Sequence, residues 1–173
     1  MERIPRLGVM IHRCSYRGLG NAVDEEITLD FELVLETLRS NIDTYRVASS
    51  CARRYRVYAF FRHEEMRRRK LLKLVDAGAL PLPLPFSRRL GLSIRRIATH
   101  LRLRGSEERQ SIAEVRHADV ELGELINRVL DRCAELPYVH SWLVGLKDVL
   151  DDAERQMDAI EHLNRPMAQA MAA

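Results

Sequence analysis

Cysteine, aromatic residues and long apolar runs are all scarce in this chain, and each scarcity excludes something. Three cysteines occur in 173 residues. Cys14, Cys51 and Cys133 lie far apart with no Cys-x-x-Cys pair, and their odd number does not suit a disulfide framework. Reduced thiols in a cytoplasm are the expectation. No apolar stretch approaches the roughly 20 residues a membrane-spanning helix needs. Met1 to Met10 mix charged and apolar residues and lack the apolar centre of a secretory signal. No phosphate-cradling Gly-rich loop and no Gly-x-Ser-x-Gly elbow occurs, so nucleotide hydrolysis and serine-hydrolase chemistry have no motif to rest on.

What is present favours helices. Aromatics make up 6% of the chain, while Leu, Ala, Arg and Glu are abundant. Apolar types at 46% and charged types at 31% suffice for one packed domain. Charge is unevenly spread: residues 1–52 balance to −2, residues 53–104 to +12 and residues 105–173 to −7. Such a chain neutralises itself by packing its basic middle on its acidic end, or offers a basic face to an acidic partner.

The periodicity predicts an irregular leader over residues 1–26, a bundle domain over 27–165 and a tail over 166–173. Thr28 or Asp30 caps a first helix from about Leu29 to Ala52, whose stripe is Phe31, Leu35, Leu38, Ile42, Tyr45, Ser49 and Ala52. The second helix runs from about Arg54 to Ala77. It offers two stripes, Val57-Phe60-Glu64-Arg67-Leu71-Leu74 and Tyr58-Phe61-Glu65-Arg68-Leu72-Val75. Pro81, Pro83 and Pro85 break the pattern, and a shorter basic helix spans about Ser87 to Leu103. The third long helix covers about Glu107 to Glu135, with Asp119 as the one polar residue on its stripe. The fourth starts at Pro137, a favoured first-turn residue, and runs to about Leu163. Two helical hairpins joined by a long connection make an all-α four-helix bundle with a short crossover helix.

The segments Leu38-Arg39-Ser40-Asn41-Ile42-Asp43-Thr44-Tyr45, Ala118-Asp119-Val120-Glu121-Leu122 and Ala159-Ile160-Glu161-His162-Leu163 carry a resemblance to the ferritin-like four-helix bundles. More narrowly, the layout over residues 29–163 resembles a bacterial family of uncharacterised ferritin-like proteins, a domain-of-unknown-function family with a short helix between two helix pairs. The resemblance implies the fold and leaves activity open.

Ferritin-like bundles that hold two irons supply one Glu from each of two helices and a Glu-x-x-His from each of the others. Glu114-Val115-Arg116-His117 has the right letters, but Glu114 and His117 flank the apolar stripe. Glu64 and Glu65 are followed three residues later by Arg67 and Arg68, and a guanidinium has no lone pair to give a metal. Glu64, Glu114 and His117 are therefore the metal candidates, in an incomplete set, and no cofactor is expected. A core polar network of Tyr45, Glu64, Arg67 and Asp119 is the competing use of these positions, since buried charges must be paired. The alternative leaves Glu64 and Arg67 as a solvated surface pair.

Two further readings concern partners. The tract from Arg53 to Arg62, followed by Arg67 to Lys70, mixes cations with aromatic rings as nucleic-acid binders do. The same letters also describe a helix with an aromatic core stripe and an arginine rim, so nucleic-acid or anionic-surface binding through residues 53–104 stays an alternative. Surplus apolar width at Tyr58, Phe61, Leu72 and Trp142 predicts a homodimer. The expected function is a non-enzymatic structural or protein-interaction module, with a metal-dependent oxidoreductase or ferritin-like metal binder as the alternative.

Overall fold

The computed structural model describes residues 21–77 and 107–162. These form four α-helices: α1 (Asn21–Cys51), α2 (Tyr55–Asp76), α3 (Glu108–Leu130) and α4 (Pro137–His162). Strands are absent among the described residues. No described helix is long and apolar enough to cross a membrane. Residues 1–20, the expected crossover helix 87–103 and the tail lie outside the described residues.

The start of α1 corrects the expected boundary. The helix begins at Asn21, so residues 21–26 belong to it and not to an irregular leader. The run Asp24-Glu25-Glu26 is the kind of acidic sequence that favours a helix N-terminus. Its lack of apolar period hid it.

α1 packs on α2 and α3, and α4 packs on the same two. The contacts fix direction. Phe31 of α1 meets Trp142 of α4 edge to face, with ring centroids 5.5 Å apart. At the other end, Arg53 and Arg54 after α1 meet Glu108 at the start of α3. Neighbouring helices are therefore antiparallel and diagonal ones parallel. Because α2 and α3 run the same way, the chain leaves α2 at one end of the bundle and enters α3 at the other, a one-crossover topology.

The core falls into two apolar clusters. The larger contains Phe31, Leu35, Leu38, Leu122, Ile126, Leu143 and Leu146, among others. The smaller contains Tyr45, Ala48, Val57, Phe60, Phe61, Ile112, Val115, Ala153 and Met157. Between them, α1 contributes Asn41, α2 contributes Glu64 and Arg68, and α3 contributes Asp119, all buried.

Burial on α2 combines the two stripes read from the sequence. Val57, Phe60, Phe61, Glu64, Glu65, Arg68 and Val75 are buried, whereas Leu74 is 48% exposed. Steps of four and three from Val57 through Phe61, Glu64 and Arg68 keep one seam facing inward. Phe61 and Trp142 are thereby corrected as interface residues, because both are buried inside the chain. Leu72 is half-buried against the larger cluster, and Tyr58 alone of the four is exposed.

Candidate functional site

Arg68 is the centre of the polar layer and has no exposed surface. Its Nη1 donates to Glu64 Oε2 at 2.6 Å, one helical turn back on α2. Its Nη2 donates to both oxygens of Asp119, each at 3.1 Å, and lies 3.1 Å from the Tyr45 hydroxyl. The guanidinium carbon stands 4.1 Å from the centre of the Tyr45 ring, a cation–π contact. Tyr45 donates to Asp119 Oδ2 at 2.6 Å, and Asn41 Nδ2 donates to Asp119 Oδ1 at 2.8 Å. Asn41 Oδ1 and Arg68 Nε are buried without a hydrogen-bond partner among the described residues.

The electrostatics follow from this enclosure. Burial pushes the Tyr45 phenol well above its ordinary value, and the nearby Arg68 charge does not reverse it. Tyr45 is thus a neutral donor to Asp119. Burial works against the charged form of Arg68, but Tyr45, Asp119 and Glu64 outweigh it and raise its value. The guanidinium stays charged, and with Arg67 on Glu64 Oε1 it faces the two carboxylates of Glu64 and Asp119.

Arg67 occupies the rim instead of the centre, which corrects the expected network. Its side chain is 28% exposed, and Nη1 donates to Glu64 Oε1 at 2.9 Å and to Asp152 Oδ2 of α4 at 2.6 Å. A single residue step rotates a helix position by about 100°, so Arg67 and Arg68 cannot share one face. The seam choice gives the interior to Arg68. His63, itself exposed, brings Nδ1 to 3.2 Å from Glu64 Oε1.

A second polar cluster ties the bundle's end. Glu108 Oε2 accepts from the backbone amides of Arg53 and Arg54 at 2.7 and 2.9 Å. These amides precede α2, whose N-cap Arg54 supplies no side-chain cap. The carboxylate from α3 therefore supplies a tertiary cap. Burial pushes the Glu108 carboxyl up, but hydrogen bonds from the Arg54 amide and guanidinium and the Arg53 amide outweigh it, so its value is lowered.

Tyr45, Glu64 and Asp119 meet in one layer. Glu114 is half-buried and His117 exposed on α3, apart from that layer. Among the described residues, no group of three or more His, Cys, Asp and Glu is placed to hold a metal ion. The donor set does not fit a di-iron centre, because the carboxylates of Glu64 and Asp119 are held by a fixed cation with no lone pair. Arg68, Asn41, Asp152 and Glu108 were missed from the sequence as site residues. The i,i+4 spacing of Glu64 and Arg68 was the signal that could have found the first.

No protein-family model, no curated protein and no solved structure matches this chain.

Proposed function

We propose that the chain is a non-enzymatic, ferritin-like helical bundle acting as a structural or protein-interaction module. The observation that carries this reading is Arg68. In a ferritin-like bundle the carboxylates at mid-height would serve a metal; here Glu64 and Asp119 converge on a buried guanidinium. A divalent cation entering between them meets a positive charge that α2 cannot swing away without opening the core. The carboxylates serve to hold helices together, and α1, α2 and α3 are joined by one set of charge-assisted bonds. A rigid bundle with a committed centre has its outer helix faces left for function.

Elemental analysis of the purified full-length chain, followed by titration with Fe(II), Mn(II) and Zn(II), tests this. The expected result is no stoichiometric metal and no thermal shift. Two metal ions per chain, lost in Glu64→Gln, would overturn it.

A further inference from the structure

We infer that the outer face shared by α2 and α4 is a homodimer interface, in which α2 of each copy lies along α4 of the other. This rests on the reading of the chain as a protein-interaction module and names the partner as a second copy.

The outer face of α2 is cationic. Arg56, Lys70 and Lys73 are exposed and have no ion-pair partner among the described residues, and Glu64 and Glu65 on the same helix point inward. Its remaining acid, Asp76, is paired with Arg39. On the outer face of the neighbouring α4, Asp148 and Asp151 are exposed and likewise without ion-pair partners among the described residues, while the exposed Arg155 reaches Asp152 at 3.4 Å and Glu154 acts on Arg116 of α3. Two free cations, Lys70 and Lys73, thus stand beside two free anions, Asp148 and Asp151, on adjacent helices of one surface. Met66 at 54% and Leu74 at 48% exposure on α2, and Val144 at 38% on α4, lie among them.

Gly145 is the independent observation. It sits in the interior of α4, where glycine weakens a helix. A side chain added there would meet nothing within 4 Å, so the chain's own packing does not require glycine. Gly123 differs, since a Cβ there would meet Leu150 Cδ1 at 3.8 Å. A half-buried, open glycine four residues after Ser141 leaves a shallow notch into which a second helix can settle.

Symmetry joins these facts. A two-fold axis parallel to the helices lays the second copy's α2 on this α4, and this α2 on the second copy's α4. Heights along the bundle are preserved by such an axis. The Arg67–Asp152 bond at 2.6 Å and the Trp142 Nε1–Leu71 carbonyl bond at 3.1 Å set those heights within one chain. Midway between the two, Leu74 lies level with about Trp142, roughly a turn from Gly145, and Lys70 level with about Leu146, roughly half a turn from Asp148. In the dimer, Leu74 packs about a turn from the notch while Lys70 and Lys73 meet Asp148 and Asp151, twice over. A polyanion would satisfy the cations but would be repelled by the adjacent carboxylates, so a second copy fits the face better than a nucleic acid does.

Light scattering and sedimentation of the full chain at micromolar concentration test the inference. The expected mass is twice 20.0 kDa, with association weakened about tenfold by salt that shortens electrostatic reach. Gly145→Leu should stay helical and become monomeric. Lys70→Glu with Lys73→Glu, and separately Asp148→Lys with Asp151→Lys, should each weaken self-association on the order of a hundredfold. Mixing these two variants should restore a dimer, since both seams of the heterodimer are again complementary. A wild-type mass of 20.0 kDa throughout, a Gly145→Leu dimer, or failure of the mixed pair to associate would overturn it. So would a monomeric wild type that shifts single-stranded DNA through Lys70 and Lys73. Metal uptake is measured separately, so failure of the dimer and failure of the metal-free reading are distinguishable.

Discussion

The larger apolar cluster and the charged layer beside it hold the same four-helix bundle by different means. The cluster fills volume with Phe31, Leu35, Leu38, Leu122, Ile126, Leu143 and Leu146. Dispersion and burial act there without direction, so a hydrophobic set of similar volume would serve nearly as well. The layer is directional. Arg68 reaches Asp119 only when α2 and α3 stand at one relative height, and Tyr45 and Asn41 add the same demand from α1. A slip of α3 by one helical turn, about 5.4 Å, would part Asp119 from Arg68, Tyr45 and Asn41 together, while Glu64 would keep its partners on its own helix. The contrast teaches that burial supplies the adhesion here and charge supplies the alignment.

The sharpest way to break that contrast is to remove the guanidinium. Arg68→Met should destabilise by about 3–5 kcal/mol, because Asp119 is left buried without a cation and Glu64 keeps only Arg67 at the rim. Denaturant midpoints measure it. Replacing Glu64, Arg68 and Asp119 together by apolar residues of similar volume should instead be neutral or stabilising, by up to about 4 kcal/mol. If the layer sets alignment, that triple variant should show broadened side-chain NMR signals despite its stability.

Glu108 gives a middle-sized effect with a pH signature. Its folded value lies below the ordinary carboxyl value, which is about 4.3 in an unfolded chain. Its contribution is therefore present above about pH 4.3 and lost as pH falls through the folded value. Glu108→Gln should cost about 1–3 kcal/mol at neutral pH. It should also flatten the acid limb of the stability curve, followed by denaturant melts from pH 6 downward.

The smallest effect belongs to the neighbouring arginine. Arg67→Met should cost no more than about 1 kcal/mol, since its side chain is 28% exposed and its pairs with Glu64 and Asp152 compete with water. Equal losses for Arg67→Met and Arg68→Met would erase the distinction between rim and centre.

That distinction marks where reading the sequence ran out. The starts of α2, α3 and α4 were legible to within a residue because Arg54, Glu107 and Pro137 precede or open sustained apolar stripes. Glu64 and Asp119 were legible as intruders on those stripes, and Tyr45 as a stripe residue able to meet them. Arg68 was not, because α2 carries two adjacent stripes of equal quality. Only the neighbours α1 and α4 decide which positions turn inward. Phe61 and Trp142 were misplaced at the expected interface for a related reason: each counts as surplus only if its helix is turned from the core, and both are buried. Glu108 reads as an ordinary first-turn acid, and its capping of α2 depends on a tertiary contact 54 residues away in sequence.

Trp142 gives the molecule a built-in optical gauge. It is the single tryptophan, packed edge-on to Phe31 and bonded through Nε1 to the Leu71 carbonyl of α2. Its emission should therefore follow the parting of α2 from α4 in the larger cluster, and shift to the red when that cleft wets. The charged layer lies out of its immediate surroundings, so indole fluorescence is comparatively insensitive to it. A fluorescence melt that runs ahead of the loss of helicity would show the apolar end opening first. Coincident traces would show both regions yielding in one cooperative step.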